Sequence, residues 1–164
     1  MVDSRITYPY LPEGRTIKYV NENDSFMQVA KKIAKAFSLD ETMPGGAIVV
    51  KEGIVVGIGA NGSDYHKKNP CQRIILGCKT GEGYDLCEGC HPKNHSEPKA
   101  ISNAKERGWD TRGADLYLWG HWWCCRWCWN AMIEAGIGDV YLLDGSEVLF
   151  NKNHPQNIVG KQFE

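Results

Sequence analysis

Two short groups of potential metal ligands stand in different parts of this chain, and a fold that uses both must bring them together. The first is His95-Ser96-Glu97, and the second is Cys125-Arg126-Trp127-Cys128. Each group lies where a helix is predicted to begin, and cysteines with this spacing share one face of a helix. The chain is therefore expected to fold so that the N-termini of two helices meet.

Hydrophobic periodicity predicts the secondary structure around these groups. Apolar residues recur at helical spacing over Ser25–Phe37, with Asn23 or Asp24 available as the N-cap. The other predicted helices begin at the two ligand groups and span Glu97–Arg107 and Cys125–Ala135. Short apolar runs predict strands at Ala47–Val50, Ile54–Ile58, Asp115–Trp119 and Asp139–Leu143. This order indicates an α/β sandwich in which crossover helices link the later strands.

The length of the chain favours a single domain over residues 1–164, because that is enough to bury a full core. The core is expected at about residues 25–144. Met1–Asn23 contains prolines and is predicted to be irregular, and the polar tail after Asp144 receives no assignment. Residues 62–94 form a cysteine-rich insertion or loop with little periodicity. So long an irregular segment is uncommon in a compact domain unless it is functional or held in place.

The net charge and the cysteine content limit which classes of partner and ligand this protein is expected to bind. The net charge is −1, whereas a protein that binds a long polynucleotide usually has a basic excess, so nucleic acid is not an expected partner. No apolar run reaches the roughly twenty residues of a membrane span, and the N-terminus lacks a signal-peptide pattern, so we expect a cytoplasmic protein without membrane contact. The seven cysteines cannot all pair within one chain, which makes metal binding the better explanation.

The residue types in the two ligand groups point to zinc. The positive end of a helix favours the thiolate form of Cys125 and Cys128. With a neutral His95 they make three protein ligands, and an open fourth position is typical of a catalytic zinc. Such an ion lowers the pKa of a bound water, and Glu97 is placed to take the proton and pass it on. The arrangement predicts hydrolysis of an amidine-like C–NH2 bond. Alone, an H-x-E carries almost no information, and a single C-x-x-C is commonly a structural zinc site, a redox site or a chance occurrence.

These blocks resemble those of the cytidine and deoxycytidylate deaminases. HSEPKAISNAKERG resembles their H-A/S-E-x-x-A-I-x-x-A block, and CRWCWNAMIEAGIGDVYLL resembles their C-x-x-C-x-x-x-I/M-I-x-A-G-I block with the strand that follows. VVGIGANG, at Val55–Gly62, is similar to the strand and loop on the substrate side. The resemblance covers roughly Ser25–Asp144. It implies a cytidine-deaminase-like three-layer α/β/α sandwich with a mixed central sheet.

The resemblance also implies roles for particular residues. The implied zinc ligands are His95, Cys125 and Cys128, and the implied general acid and base is Glu97. Asn61 would hydrogen-bond the sugar or base of the substrate, with a plain turn role in Asn-Gly as the alternative. Ser96 would offer its backbone to the pyrimidine. Trp119 and His121 lie in a segment that borders the substrate in this family.

That segment departs from the family pattern. Leu118–Cys124 takes the place of a shorter T-x-E-P-C run, with Cys124 where proline is expected. The departure leaves the substrate open, because tryptophans here can stack on a base or fill the core and subunit contacts. Register against the family makes Cys125 and Cys128 the ligands and leaves Cys124 off the metal, although Cys124 and Cys128 would also share a helix face.

A second metal is predicted upstream of His95. Its candidate ligands are Cys71, Cys78, Cys87 and Cys90, with His91 or His66 as substitutes. Four thiolates satisfy a closed tetrahedral site, and some deoxycytidylate deaminases resemble this chain in carrying an additional structural zinc. The alternative is that these cysteines are free buried thiols.

The combined hypothesis is a zinc-dependent deaminase of a free cytosine nucleotide, with dCMP as the best single substrate and dUMP and ammonia as products. Water would attack C4 of the pyrimidine, and Glu97 would protonate N3 and then the amine. The alternatives are deamination of cytidine, of another aminated base or of a base in nucleic acid, and a non-catalytic zinc-binding module. The family resemblance implies a homo-oligomer.

Overall fold

The computed structural model describes residues 6–79 and 81–164. Its strands are β1 (Ile17–Val20), β2 (Gly46–Lys51), β3 (Ile54–Ala60), β4 (Asp115–Trp119) and β5 (Val140–Leu143). Its α-helices are α1 (Ser25–Phe37), α2 (Tyr65–Lys68), α3 (Gln72–Ile75), α4 (Ser96–Glu106), α5 (Arg126–Glu134) and α6 (Ser146–Leu149). Two 3-10 turns lie at Tyr84–Leu86 and Pro92–Asn94.

The strands form one five-stranded sheet in the order β1-β5-β4-β2-β3. The pairs β1–β5 and β5–β4 are parallel, and the pairs β4–β2 and β2–β3 are antiparallel. The expectation of a mixed sheet is confirmed. Because β3 and β4 both run opposite to β2, they point in the same direction, and their carboxyl ends lie at one edge of the sheet.

Helices cover both faces of the sheet, as the predicted three-layer sandwich requires. Successive side chains of a strand point to opposite faces, and β4 divides accordingly. Leu116 and Leu118 pack in the core cluster that contains residues of α4 and α5, whereas Tyr117 and Trp119 pack in the cluster that contains residues of α1.

Glycines let the helices approach the sheet closely. A Cβ atom at Gly59 of β3 would lie 2.4 Å from the backbone nitrogen of Ala100 in α4, and one at Gly46 of β2 would lie 2.3 Å from the carbonyl oxygen of Ala30 in α1. A β-carbon does not fit at such distances. The contact with β3 places the N-terminus of α4 at the carboxyl edge of the sheet.

The predicted helix over Ser25–Phe37 has the predicted bounds, and its N-cap is Asp24, which accepts a hydrogen bond from the N–H of Met27 at 2.9 Å. The prediction of an irregular Met1–Asn23 is wrong for Ile17–Val20, which forms the outermost strand β1, and residues 1–5 of this segment lie outside the described part of the chain. The sequence of this strand, Ile-Lys-Tyr-Val, alternates only weakly between apolar and polar residues, and only Ile17 is fully buried. The tail contains α6, and residues 62–94 contain α2, α3 and the two 3-10 turns.

Within the described part of the chain, no helix has the length and apolar character needed to cross a membrane.

Candidate metal centre and active site

The structure brings His95, Cys125 and Cys128 together, although they belong to different helices. His95 is the N-cap of α4 and Cys125 is the N-cap of α5. Nδ1 of His95 lies 3.2 Å from Sγ of Cys128 and 3.5 Å from Sγ of Cys125, and the two sulfurs are 3.2 Å apart. The meeting follows from packing and topology, because the first turns of α4 pack against the carboxyl end of β3 at Gly59, α5 is the next helix after β4, and these two strands end at the same end of the sheet.

The three donor atoms fit a zinc ion. A tetrahedral zinc with bonds of about 2.3 Å to sulfur holds two thiolates about 3.8 Å apart. The donors of His95, Cys125 and Cys128 all lie within 4.8 Å of one another, and both cysteines are buried. One nitrogen and two sulfurs leave one tetrahedral position for a further ligand, which is the arrangement of a catalytic zinc.

The electrostatic setting favours one thiolate, on Cys125, in this group. The hydrogen bond with Cys128 lowers the pKa of Cys125 to about 6, whereas burial raises the pKa of Cys128 well above its usual value. Burial lowers the pKa of His95, but the hydrogen bond and charge of Cys125 outweigh it, so that the pKa rises. The partial positive charges at the N-termini of α4 and α5 also stabilise a thiolate here. A thiolate therefore forms readily where a metal needs one.

Glu97 lies in the first turn of α4 and only 4% of it is exposed. The hydroxyl of Ser96 donates a hydrogen bond to its Oε1 at 3.3 Å. Glu97 follows His95, the N-cap of this helix, by two residues, and its negative charge acts to raise the pKa values of His95, Cys125 and Cys128. It is thus a buried proton acceptor next to a set of zinc donors.

Cys124 lies beside the metal-binding group but outside it. Among the described residues, the group of ligand atoms comprises His95, Cys125 and Cys128. Cys124 is fully buried, and burial together with the negative charge of Glu97 raises the pKa of its thiol well above the usual value. It is therefore a neutral thiol at physiological pH.

Two contacts to His95 are not apparent in the sequence. Its Nε2 lies 3.2 Å from the backbone carbonyl oxygen of Cys90, and the ring of Tyr84 meets the imidazole edge-on with centroids 5.0 Å apart. A metal bound at Nδ1 would leave the ring proton on Nε2, from which the imidazole donates a hydrogen bond to the carbonyl oxygen of Cys90. A carbonyl acceptor has no side-chain signature, so residue spacing could not reveal it.

The side-chain amide of Asn61 makes most of its hydrogen bonds to other residues of the protein. Its Oδ1 accepts hydrogen bonds from the N–H of Gly45 at 2.8 Å and the hydroxyl of Ser38 at 2.6 Å. Its Nδ2 donates to the carbonyl of Met43 at 2.8 Å and lies 3.5 Å from Nε2 of His121. Asn61 therefore fixes the loop of residues 38–45, and its contact with a substrate stays a prediction.

His121 is close to the same loop. A Cβ atom at Gly45 would lie 2.7 Å from Nε2 of His121, and one at Gly120 would lie 2.3 Å from the carbonyl oxygen of Pro44. Gly120 also has a φ of 103°, which disfavours any other residue. Burial lowers the pKa of His121 despite the charge of Glu97, so its ring is neutral at physiological pH.

The structure does not bring Trp119 to the metal-binding group. Its ring lies on the α1 side of the sheet, stacked on Phe163 with centroids 5.2 Å apart and edge-on to Phe150 at 5.1 Å. The reason is strand alternation, because Trp119 and Leu118 must face opposite ways. Trp119 is a core residue, which corrects its assignment as a substrate contact.

Ser96 is completely buried and is the first residue of α4. The N–H groups in the first turn of a helix have no partner within that helix. A backbone contact to a ligand is compatible with this position and stays a prediction.

The cysteines upstream of His95 form a second group, with one change from the predicted set. Cys71, Cys87 and Cys90 meet His66, and their ligand atoms lie within 4.8 Å of one another. We call these four residues the upstream cluster. The prediction for Cys78 is corrected, because its sulfur is not among the grouped ligand atoms. That sulfur lies against Gly83 instead, 2.8 Å from where a Cβ atom of that residue would be. His91, the other proposed substitute, accepts a hydrogen bond from the N–H of Lys93 through Nδ1 at 3.1 Å.

Comparison with known proteins identifies similar sequences and folds. The family described as the cytidine and deoxycytidylate deaminase zinc-binding region matches residues 20–144. No match was found among curated proteins. The dCMP deaminase from the cyanophage S-TIM5, solved in complex with dCMP and dUMP, is 24% identical, with a TM-score of 0.51 over 71% of this chain and 76% of that chain. That likeness shows the fold.

Two further solved structures are similar. The diaminohydroxyphosphoribosylaminopyrimidine deaminase/5-amino-6-(5-phosphoribosylamino)uracil reductase from Thermotoga maritima is 26% identical, with a TM-score of 0.45 over 71% of this chain. The match spans only 28% of that longer chain. Guanine deaminase from Bacillus subtilis is 20% identical, with a TM-score of 0.44 over 73% of this chain and 62% of that chain.

Proposed function

The chain belongs to the cytidine and deoxycytidylate deaminase family of zinc-dependent hydrolytic deaminases, and on that premise we propose that its substrate is a free cytosine nucleotide. The specific reaction is the conversion of dCMP and water to dUMP and ammonia. The observation that carries this proposal is the buried carboxylate of Glu97 beside the joined donors of His95, Cys125 and Cys128.

The residues of the site divide the chemistry among them. His95, Cys125 and Cys128 would hold a zinc ion, which supplies Lewis-acid activation of water at neutral pH. Glu97 takes one proton from the attacking water and delivers it to N3 of the pyrimidine, then takes the second proton from the new C4 hydroxyl and delivers it to the exocyclic amine. A C4–O bond forms, the C4–N bond breaks, and the nitrogen leaves as ammonia. Glu97 ends each cycle ionised, ready for the next water.

His121 and Asn61 are proposed to contact the part of the substrate that faces away from the zinc ligands and Glu97. His121 offers a neutral ring that can donate or accept a hydrogen bond. Asn61 has one amide hydrogen directed at His121 rather than at the loop of residues 38–45. The two side chains lie near the carboxyl ends of β3 and β4, the usual place for a ligand on a sheet of this kind.

Replacing His121 by alanine is expected to raise KM for the nucleotide about two- to tenfold and to change kcat less, because one hydrogen bond to the bound substrate is lost. Steady-state kinetics on the zinc-loaded variant would measure both constants. An unchanged KM with an unchanged zinc content would remove His121 from the substrate site.

Two observations favour a small cytosine nucleotide over other substrates. The net charge of −1 gives no general attraction to a polynucleotide. The cyanophage relative with the same fold is a dCMP deaminase solved with dCMP and dUMP. Because other relatives act on different aminated rings, the identity of the base must be tested directly.

The test is ammonia release from the zinc-loaded protein with dCMP, CMP, deoxycytidine, cytidine and guanine. We expect kcat/KM to be highest for dCMP. A preference for a nucleoside or for guanine would overturn the substrate assignment and keep the reaction class. Release from none of them would support a non-catalytic zinc-binding module instead.

Assembly into a homo-oligomer and a cytoplasmic location are further proposals. Light scattering of the purified protein would test the first, with a monomer as the contradicting result.

A further inference from the structure

We propose that the upstream cluster is a second, closed zinc site that uses His66 in place of Cys78, and that it holds His95 in position through the backbone of Cys90. The first part depends only on the four residues of the cluster. The second part rests on the proposed function, because it concerns a ligand of the catalytic zinc.

The donor atoms of the upstream cluster have the spacing that a tetrahedral metal requires. Nε2 of His66 lies 3.2 Å from Sγ of Cys87 and 3.9 Å from Sγ of Cys90, and the sulfurs of Cys71 and Cys90 are 3.6 Å apart. A tetrahedral zinc holds two thiolates about 3.8 Å apart. Four protein donors fill every position, so this site is structural rather than catalytic.

The surroundings of the cluster fit these four ligands. A Cβ atom at Gly89 would lie 2.6 Å from Nε2 of His66, so the turn between Cys87 and Cys90 admits the imidazole because residue 89 has no side chain. Nη1 of Arg73 lies 4.0 Å from Sγ of Cys90. That positive charge offsets part of the excess negative charge of three thiolates around one divalent ion.

Hydrophobic burial does not account for the order of this segment. Neither α2 nor α3 contains a buried residue, and Ile74, Ile75 and Leu76 are 80%, 61% and 60% exposed. The described residues of the segment that are buried between positions 62 and 94 are Cys87, Gly89 and Pro92. A segment with so little apolar burial needs another source of order, and a metal bound by residues from both of its ends supplies one.

Cys90 connects the two metal-binding groups. Its sulfur belongs to the upstream cluster, and its carbonyl oxygen lies 3.2 Å from Nε2 of His95. A histidine ligand usually donates its second ring N–H to such an acceptor, which fixes the orientation of the ring. Tyr84, from the same segment, packs edge-on against His95, and the guanidinium of Arg73 lies 4.3 Å from the Tyr84 ring centroid. Loss of the upstream metal therefore loosens two supports of His95.

The first experiment counts zinc per chain by mass spectrometry. We expect two equivalents in the unmodified protein, one in Cys71→Ser and two in the matched control Cys78→Ser. In the histidine pair, His66→Ala should lose the second zinc to a mild chelator, and His91→Ala should keep it. One equivalent in the unmodified protein overturns the site, even if a variant fails to fold. Loss of zinc in Cys78→Ser or His91→Ala overturns the ligand set.

The second experiment measures the affinity of the catalytic zinc by competition with a chelator. Loss of such a supporting contact costs about 10- to 100-fold in metal affinity or activity. We therefore expect weakening of that order in Cys71→Ser and none in Cys78→Ser, with circular dichroism confirming that both are folded. Equal affinities would overturn the link through Cys90. Neither measurement uses a substrate, so the result stands independently of whether the protein deaminates dCMP.

Discussion

Replacing Glu97 by glutamine is expected to lower kcat/KM for dCMP by about 10²- to 10⁴-fold, the usual contribution of general acid–base catalysis. Glutamine keeps the size of the side chain and the hydrogen bond that its oxygen accepts from Ser96. It cannot accept the proton of water or return one to N3 and the amine, so both transfers are lost. Ammonia release at several dCMP concentrations measures the effect.

The matched control for this variant lies on the same helix. Glu106→Gln, at the exposed last turn of α4, should keep full activity. Both variants should hold as much zinc as the unmodified protein, because Glu97 is not one of the grouped ligands. A Glu97→Gln variant with normal zinc content and kcat/KM within a fewfold of normal would show that another group moves the proton.

Cys125→Ser is expected to lose one zinc equivalent per chain and, with it, activity, whereas Cys124→Ser should keep both. Cys125 faces His95 and Cys128, and its pKa is lowered to about 6 by the hydrogen bond with Cys128. Serine is a far poorer ligand for zinc, because its hydroxyl stays protonated at neutral pH. Cys124 is a buried neutral thiol outside the group, so serine replaces it without removing a ligand.

Metal analysis of the two variants, prepared side by side, separates the two possible pairs of ligands in this cysteine-rich segment. If Cys124→Ser lost zinc and Cys125→Ser kept it, the register of α5 would be wrong and the pair would be Cys124 and Cys128. Loss in both would mean that the variants disturb folding, which urea denaturation of each would reveal.

Much of the fold could be predicted because apolar periodicity is a local property. The helix Ser25–Phe37 and the strand Asp115–Trp119 have the predicted bounds. The meeting of His95 with Cys125 and Cys128 could also be anticipated, since each group begins a helix and the second helix directly follows a strand. Strands that run in the same direction place such helix starts at one edge of the sheet.

Other features depend on tertiary contacts that the sequence does not encode locally. β1 becomes a strand through its pairing with β5 and not through a strong alternation of its own. Trp119 could have been assigned to the α1 face from alternation within its strand. The choice of His66 over Cys78 depends on the path of an irregular segment, and residue spacing does not determine that path.

The most direct test of the central claim is removal and restoration of zinc, with ammonia release from dCMP as the readout. We predict no release from the metal-free chain and full recovery when zinc is returned, with Glu97→Gln recovering to a kcat/KM about 10²- to 10⁴-fold below that of the unmodified chain. Undiminished release from the metal-free chain, or none from the fully zinc-loaded chain with any cytosine nucleotide, would contradict the account.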